Sequence, residues 1–389
     1  MCDSPGQPIT PSPEARARWS KAPMEHTGLS KKQPPIMPGV EVKDLPTPAL
    51  LLDMDTMERN LSLMAEFFKN KTAKLRPHFK SQQMIDLAHR QIAAGAIGLT
   101  CARLEQAQIL VDQGIENILI ANEIAGNVHI RHFVELSHRA PVIVAVDSAS
   151  VVEEMAAIAG SRVHELNVVV DLNVRVGRCG VQPGEAALCL AKAVLSKGLR
   201  FRGLMGYEGH IGLPAGPDKQ RVAHEALQRL MDTKALLEQE GVPVEIVTCG
   251  GTSDYIEAAT FPGVTEVQAG SYLLMDTWYA PHATDFQPTL TVLSTVISNS
   301  VGNRLVADAG AKAMSAGNGL PPIKGMPGLE VKALHSEHTL MEIQDPSIPV
   351  EVGDLIEIWV TTLDPTLRLH NYIFGIRNSK VEEIFPVAR

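Results

Sequence analysis

Eight short apolar runs recur between residues 74 and 270, and amphipathic helical stretches lie between most of them. The runs are KLRPHF (74–79), IGLTC (97–101), ENILIA (116–121), PVIVAV (141–146), LNVVVDL (166–172), RFRGLMG (200–206), PVEIVT (243–248) and TEVQAG (265–270). Continuous apolar runs are typical of parallel strands that are buried on both faces. Eight strand–helix repeats in succession match the arithmetic of a (β/α)8 barrel. A doubly wound open sheet is the alternative, but no GxGxxG follows the first strand, so the pattern favours the barrel.

The pattern changes after residue 285, where short β-type runs follow one another without intervening helices. β-Branched residues and period-2 alternation dominate from TLTVLSTVIS to VEEIFPV, which predicts a separate, mainly-β C-terminal domain over residues 285–389. The α/β barrel then occupies residues 47–284, of which TPALLLD (47–53) is expected to pair with the β domain. Residues 1–46 are rich in proline and polar residues and form an extension that is not expected to fold alone.

The composition restricts the kinds of partner that this chain can bind. A formal net charge of −9 and an aromatic content of 4% argue against a nucleic acid, which requires a basic surface or stacking rings. No apolar run approaches the roughly 20 residues that cross a bilayer, and the N-terminus lacks an apolar signal core. The five cysteines are widely spaced without a CxxC pair, so they indicate neither a disulfide framework nor a zinc knuckle. We therefore expect a soluble cytoplasmic protein that handles a small molecule.

The loops at the carboxyl ends of the predicted barrel strands are the places where a barrel carries its catalytic groups. Strand seven is followed by CGGTS (249–253), and strand eight is followed by GSY (270–272). Glycines let backbone N–H groups approach an anion, and hydroxyl groups can donate hydrogen bonds as well. A lone GGTS usually marks a turn, but a second loop of this kind at the neighbouring strand predicts a phosphate site.

Lys80 follows predicted strand one, on the same rim as the phosphate site. A lysine in this position suggests a Schiff base with pyridoxal phosphate. The alternative is a solvated surface lysine, which is the usual state of an arbitrary lysine. The other rim loops contribute Arg178 after strand five, and Tyr207 and His210 after strand six.

Five motifs together resemble the pyridoxal-phosphate enzymes of alanine-racemase fold: TPALLLDMDTMERN, HFKS, GRCGV, CGGTS and QAGSYLLMD. They occur in the order of that family, and the resemblance covers roughly residues 44–388. Within the family they are similar to the branch of D-threonine aldolase, 3-hydroxy-D-aspartate aldolase and eukaryotic D-serine dehydratase. The resemblance implies a fold type III barrel with pyridoxal 5′-phosphate as its cofactor.

The same resemblance implies roles for individual residues. Lys80 would bind the cofactor covalently, Arg178 would lie near its phenolic oxygen, and Tyr207 would lie near its ring. The residues implied at the phosphate and around it are Gly250, Gly251, Thr252, Tyr255, Gly270, Ser271 and Tyr272. Gln268 aligns with the arginine that alanine racemases place on the pyridine nitrogen. A neutral partner there permits an unprotonated nitrogen but enforces it less than a cation does.

The resemblance breaks at a metal-binding pair in the C-terminal domain. Aldolases and dehydratases of this branch resemble one another in a His-x-Asp or His-x-Cys pair that binds a divalent metal. Here Asp364 fits the acidic ligand, but Thr362 occupies the histidine position. A hard cation such as Mg²⁺ or Mn²⁺ can still bind through Asp364, His338 and waters. The alternative is that Asp364 is only a turn residue before Pro365.

A second departure follows strand six. The aldolases have a histidine six residues beyond the tyrosine, and this position is Leu213 here. His210, three residues beyond Tyr207, is the nearest substitute, so we expect it to act as the catalytic base.

Taken with the resemblance, these residues indicate a lyase that cleaves a D-β-hydroxy-α-amino acid by retro-aldol chemistry, giving glycine and an aldehyde or oxo-acid. A D-serine-type dehydratase, which gives a 2-oxo acid and ammonia, is the first alternative, and an amino-acid racemase is the second. A non-catalytic cofactor carrier would not need the C-terminal domain. The resemblance also implies a homodimer in which the β domain of one subunit closes the barrel of the other. Asp364 and His338 would then serve the Lys80 of the neighbouring subunit.

Overall fold

The computed structural model describes residues 36–209 and 217–388. Its strands are β1 (Ala49–Asp53), β2 (Lys74–Leu75), β3 (Leu99–Cys101), β4 (Ile118–Glu123), β5 (Ile143–Val146), β6 (Asn167–Leu172), β7 (Arg200–Gly206), β8 (Ile246–Cys249), β9 (Glu266–Val267), β10 (Leu290–Val301), β11 (Arg304–Ala307), β12 (Leu329–Leu334), β13 (Thr339–Ile343), β14 (Leu355–Trp359), β15 (Tyr372–Arg377) and β16 (Lys380–Pro386). Its α-helices are α1 (Met54–Phe68), α2 (Ile85–Ala93), α3 (Leu104–Asp112), α4 (Asn127–Ser137), α5 (Ala149–Ala159), α6 (Glu185–Ser196), α7 (Pro217–Gln239), α8 (Tyr255–Thr260) and α9 (Leu363–Leu367). Short 3-10 helices cover Val42–Asp44, Phe79–Ser81, Gly160–Glu165 and Ala280–His282. Among these described helices, none combines the length and the apolar character needed to cross a bilayer.

Strands β2 to β9 form one parallel sheet in the order β2-β9-β8-β7-β6-β5-β4-β3. A β-bridge between His78 and Thr100 joins the two ends of this order, and the Thr100 N–H donates to the Pro77 carbonyl at 2.9 Å. The sheet therefore closes on itself. This confirms the predicted eight-stranded barrel, and each of the eight apolar runs contributes one strand.

The barrel strands have apolar residues on both faces because both faces are covered. In β6 every residue is buried. Val169 belongs to an inner apolar cluster, whereas Val168 and Val170 belong to the larger core that the surrounding helices share. Successive side chains of a strand point to opposite faces, so this alternation is that of a strand between the barrel interior and the helices. The continuous apolar runs in the sequence follow from this double burial.

A buried ion pair joins the first and last barrel strands. Arg76 follows β2, and its Nε and Nη2 donate to the two carboxylate oxygens of Glu266 in β9 at 2.8 and 2.6 Å. Both side chains are almost fully shielded from solvent. A guanidinium that engages both oxygens of a carboxylate is a geometrically specific pair, so it fixes β2 against β9.

A second sheet contains β1 and the seven C-terminal strands, in the order β12-β13-β11-β10-β1-β15-β16, with β14 also paired to β10. β1 runs antiparallel to β10 and parallel to β15, with Ala49 opposite Leu293 and Leu51 opposite Phe374. This is the pairing expected for residues 47–53. Both sheets belong to one compact unit, Met37–Arg389.

A short helix, α9, lies between β14 and β15, where the sequence predicts no helix. Asp276, which follows the barrel strand β9, accepts the N–H of Leu363 at the start of this helix at 2.9 Å. Leu363 and Leu367 bury their side chains. Thr362 occupies the N-cap position, but its side chain makes no capping hydrogen bond, so the first turn depends on an acceptor that is far away in the sequence.

Candidate active site

A cavity of about 260 Å³ opens at the carboxyl ends of the barrel strands. The predicted site residues that line it are Lys80, Arg178, Tyr207, Gly250, Gly251, Thr252, Gln268, Gly270 and Ser271. Residues 362–365 of the β domain complete its wall, together with Asn318. The fold thus brings the lysine, the two glycine loops and the acidic C-terminal segment to one place.

Lys80 lies in the 3-10 helix Phe79–Ser81, directly after β2, and its side chain is half-exposed in the cavity. Its Nζ is 3.5 Å from Oδ2 of Asp364. Burial raises the pKa of Asp364, while the Lys80 charge acts in the opposite direction. This ion pair corrects the prediction that Asp364 serves the neighbouring subunit, because the structure places it beside Lys80 of the same chain.

The loops after β8 and β9 form a cup whose shape depends on two glycines. Gly250 has a φ of +74°, which L side chains rarely adopt, and a Cβ there would lie 2.8 Å from the Cβ of Ala258. Gly270 is required for a different reason, because a Cβ added at this position would lie 2.6 Å from the carbonyl oxygen of His78. The backbone of the second loop therefore packs directly against the segment that carries Lys80.

Backbone N–H groups of this cup are available to an anion. Among the hydrogen bonds of the described residues, none is donated by the N–H of Thr252, Gly270 or Ser271. Other N–H groups hold the loop: Gly250 donates to Glu208 at 3.0 Å, and Gly251 donates to Asp254 at 2.7 Å. Fixed loops with free N–H groups are suited to a phosphate, so the cup fits the anionic group of the predicted cofactor.

Two tyrosines predicted at the cofactor do not reach the cavity. The Tyr255 hydroxyl donates to Asp285 at 2.8 Å, and its ring packs against Phe67. Tyr272 is fully buried, and its hydroxyl accepts a hydrogen bond from Gln91 at 2.9 Å. The structure therefore does not bring these two side chains to the cavity, and both pack behind the cup.

Arg178 and Tyr207 lie side by side in the cavity. The guanidinium carbon of Arg178 is 5.8 Å from the centre of the Tyr207 ring, within the range of a cation–π contact. Burial raises the pKa of Tyr207 well above its usual value, and the nearby Tyr279 and Asp254 act in the same direction. The Tyr207 hydroxyl consequently stays protonated and can donate a hydrogen bond at neutral pH.

Gln268 occupies the barrel interior just after β9. Its Nε2 donates to the hydroxyl of Thr248 at 3.0 Å, which leaves the amide oxygen as the free end of the side chain. An amide carries no charge at any accessible pH. The group at this position therefore adds no positive charge to a pyridine ring bound in the cavity.

His78 is a lining residue to which the sequence analysis gave no role. Burial lowers the pKa of its imidazole well below the usual value, and the charges of Lys80 and Arg178 lower it further. Its Nδ1 is buried and has no hydrogen-bond partner within the described chain. The spacing of two residues between His78 and Lys80 puts both at the end of one strand, and this is the signal that could have identified it.

An acidic group that the sequence analysis also missed lies on the same rim. The side-chain atoms of Glu123, Asp147 and Cys179 that could bind a metal ion lie within 4.8 Å of one another. Asp171 lines the same cavity. Burial raises the pKa of Asp171 to about 8, and the Glu123 charge contributes to this shift. Glu123 ends β4, Asp147 follows β5 and Asp171 lies near the end of β6, so their common position after barrel strands is the signal that was available.

The predicted partner of Asp364 is not at the cavity. Asp364 lines it, whereas His338 is exposed in the turn before β13 and is not a lining residue. The structure therefore does not bring together the predicted Asp364–His338 metal pair within one chain. His210 and Leu213 lie outside the described residues, so the expected role of His210 as a base stays a prediction.

Comparison with known proteins extends over almost the whole chain. Residues 52–277 match the family "Alanine racemase, N-terminal domain", and residues 289–376 match the "Putative serine dehydratase domain". The chain is 31% identical over 361 residues to a D-threonine aldolase of Arthrobacter sp, covering 91% of this chain and 95% of that protein. It is 29% identical over 367 residues to a 3-hydroxy-D-aspartate aldolase of Paracoccus denitrificans (strain Pd 1222), covering 91% and 94%.

A solved structure supports the same relationship in three dimensions. The D-threonine aldolase of Filomicrobium marinum superposes with a TM-score of 0.86 at 33% identity, over 91% of this chain and 98% of that one. Its agreement includes the barrel and the β domain, because both lie within the covered length. The chain therefore belongs to the alanine racemase-like family of pyridoxal-phosphate-dependent enzymes, in the group that contains the D-threonine and 3-hydroxy-D-aspartate aldolases.

Proposed function

We propose that this protein is a pyridoxal-phosphate-dependent lyase that cleaves a D-β-hydroxy-α-amino acid to glycine and an aldehyde or oxo-acid. The observation that carries the proposal is the position of Lys80, which faces one cavity together with the glycine cup. The identity to aldolases over more than nine-tenths of the chain supports the same reaction.

The cavity offers suitable groups for both the aldehyde and the phosphate of pyridoxal phosphate. Lys80 would hold its aldehyde carbon, the N–H groups of Thr252, Gly270 and Ser271 would hold its phosphate, and Gln268 would lie at its ring nitrogen. When bound, pyridoxal phosphate withdraws electrons from the bonds at the α-carbon of an amino substrate and so permits the Cα–Cβ bond to break.

The residues around Lys80 supply the proton transfers. Asp364 lies at ion-pair distance from Lys80 Nζ, and burial raises the pKa of its carboxyl, which makes the carboxylate a stronger base than an exposed one. We propose that Asp364 accepts the proton of the substrate's β-hydroxyl, with His210 as a second candidate. Tyr207 stays protonated, so its hydroxyl is available as a hydrogen-bond donor.

A dehydratase is the second candidate, because residues 289–376 match the putative serine dehydratase domain. In that reaction the substrate loses its α-proton and then its β-hydroxyl group, giving a 2-oxo acid and ammonia. The two reactions use the same cavity and differ in which bond at the α-carbon breaks. Product analysis separates them directly.

A divalent metal at Asp364 does not fit the described cavity. Within the described residues, the only set of three metal-ligating side chains at suitable spacing is Glu123, Asp147 and Cys179, and it does not include Asp364. One oxygen of Asp364 faces the Lys80 ammonium, and the Thr362 hydroxyl accepts the N–H of Asn318 at 3.0 Å. We therefore assign no step of the reaction to a metal.

We also propose a homodimer in the cytoplasm. The cavity lining includes Val176, whose apolar side chain is exposed, and this supports a covered mouth in the assembled enzyme. The described cysteines are free thiols, which agrees with a reducing compartment. Light scattering of the purified enzyme tests the assembly, and a fully active monomer would contradict it.

The experiment that tests the reaction is product analysis with pyridoxal phosphate and D-threonine, D-serine or 3-hydroxyaspartate stereoisomers. Glycine together with an aldehyde or glyoxylate identifies an aldolase, and ammonia identifies a dehydratase. Lys80→Ala is the matched control and is expected to lose both turnover and the absorbance of the lysine-bound cofactor at about 400–430 nm. A Lys80→Ala protein that still turned over these substrates would refute the assignment of Lys80.

A further inference from the structure

One wall of the cavity comes from two segments that are distant in sequence, and it adjoins the glycine cup where the Ser253 N–H donates to the Tyr279 hydroxyl at 3.1 Å. Asp276, Trp278 and Tyr279 follow the barrel strand β9, and residues 362–365 follow β14 of the second sheet. Asp276 joins the two segments, since its carboxylate accepts the N–H of Tyr279 at 2.7 Å and of Leu363 at 2.9 Å. Asp276 therefore holds the two segments together as one wall of the cavity.

The charges along the described lining are unevenly distributed. Lys80 and Arg178 are its lysine and arginine side chains, and His78 is held neutral because burial and these two charges lower its pKa. The Lys80 charge is already matched by Asp364, and Arg178 lies over the Tyr207 ring. Every amino-acid substrate brings an α-carboxylate, and the cofactor brings a phosphate, so these cations already face several anionic groups.

The remaining surface of this wall is apolar or aromatic. Trp278, Leu363 and Pro365 line the cavity. The Trp278 ring contacts the rings of Tyr279 and His282, with ring centres 6.3 and 5.8 Å away. An aromatic ring with neighbouring aliphatic groups provides favourable contact for a methyl, alkyl or aryl substituent.

We infer that Asp364 and the Trp278 surface select a substrate whose β-substituent is uncharged, and that they reject one with a β-carboxylate. The inference rests on the proposed aldolase function and names its substrate class. A second carboxylate at the β-carbon would lie among Asp276 and Asp364, and it would compete with the substrate's α-carboxylate for Lys80 and Arg178, the cations of the described lining. Placing like charges side by side in a partly desolvated site disfavours binding strongly.

The kinetic test compares kcat/KM for D-threonine and D-phenylserine with kcat/KM for D-threo-3-hydroxyaspartate on the holoenzyme. We expect the uncharged substrates to be favoured by about 100-fold or more. Asp364→Asn should reduce this preference by roughly tenfold, because it removes one of the repelling carboxylates. Asp147→Asn is the matched control, since that carboxylate accepts the N–H of Gly180 at 3.1 Å and does not line the cavity, and it should leave the preference unchanged.

A binding test covers the case in which Asp364→Asn no longer turns over. D-Aspartate and D-2-aminobutyrate lack the β-hydroxyl, and their binding is followed by the change in the cofactor's absorbance. D-Aspartate should bind the wild-type holoenzyme at least about tenfold more weakly, and Asp364→Asn should narrow this difference. Equal or tighter binding of D-aspartate would overturn the inference and leave the aldolase proposal intact. Absence of cleavage with every β-hydroxy amino acid would instead refute the proposed function, while the binding comparison would still decide the charge preference.

Discussion

Gly270→Ala should weaken cofactor binding because the added methyl group has no space. A Cβ at this position would lie 2.6 Å from the His78 carbonyl oxygen, 2.8 Å from its Cβ and 3.2 Å from its Cα. These atoms belong to the segment that leads to Lys80, so they can give way only if that backbone moves. Overpacking of this kind typically costs about 1–3 kcal/mol. If the cost falls on the bound state, affinity for pyridoxal phosphate drops by roughly 5–150-fold.

Gly251→Ala is the matched control in the same cup. A Cβ at this position would meet its nearest neighbours, Asp254 Oδ1 and Tyr207 Cε2, at 3.7 Å, which is ordinary van der Waals contact. Both variants are titrated as apoenzyme with pyridoxal phosphate, and absorbance and melting temperature are recorded together. If Gly270→Ala binds pyridoxal phosphate as tightly as the wild type, or if the two variants lose the same affinity for it, close approach to His78 does not make this glycine necessary.

Three further outcomes follow from the same structure. EDTA should lower kcat by less than about twofold, because the cavity offers no described partner for Asp364 as a metal ligand; loss of activity that Mn²⁺ restores would show that ligands come from elsewhere. Arg76→Met should lower the free energy of unfolding in urea by about 3–5 kcal/mol, because it leaves Glu266 buried without its partner, and adding Glu266→Gln should recover much of the loss. Burial raises the pKa of Glu208 to about 7 in the folded protein, above its usual value of about 4.3. The folded state therefore loses stability relative to the unfolded state as the pH rises from about 4.3 to about 7. Glu208→Gln should therefore reduce the fall in melting temperature between pH 5 and pH 8, and an unchanged pH profile would contradict this assignment.

The barrel could be predicted because burial of both faces of a strand appears in the sequence as a continuous apolar run. Val168 and Val170 pack against helices while Val169 faces the barrel interior, so an unbroken apolar run was the expected pattern. The cofactor end of the cavity could be predicted for a similar reason. Its groups follow strand ends in short motifs, and strand ends in a parallel barrel meet on one rim.

The misplaced residues depend on side-chain directions that a motif does not record. Tyr255 and Tyr272 belong to the predicted loops, but their rings turn into the core, where Asp285 and Gln91 bind the hydroxyl groups. Buried tyrosine hydroxyls require such partners, and the partners lie far away in sequence. The Asp364–Lys80 ion pair was likewise assigned to the wrong subunit, because sequence spacing does not show which barrel a distant segment covers.

The two ends of the cavity are fixed in different ways, and this difference bears on how specificity can vary. The glycine cup and Lys80 are set by local loops of the barrel. The segment 362–365 is set by long-range contacts instead: β14 before it pairs with β10, β15 after it pairs with β1, and Asp276 accepts the N–H of Leu363. Since β1 also leads directly into the barrel, these pairings hold the acidic wall against the rim that carries Lys80. A substitution in this wall, for example at Thr362, is therefore expected to change which β-substituent is accepted without disturbing the residues that hold the cofactor.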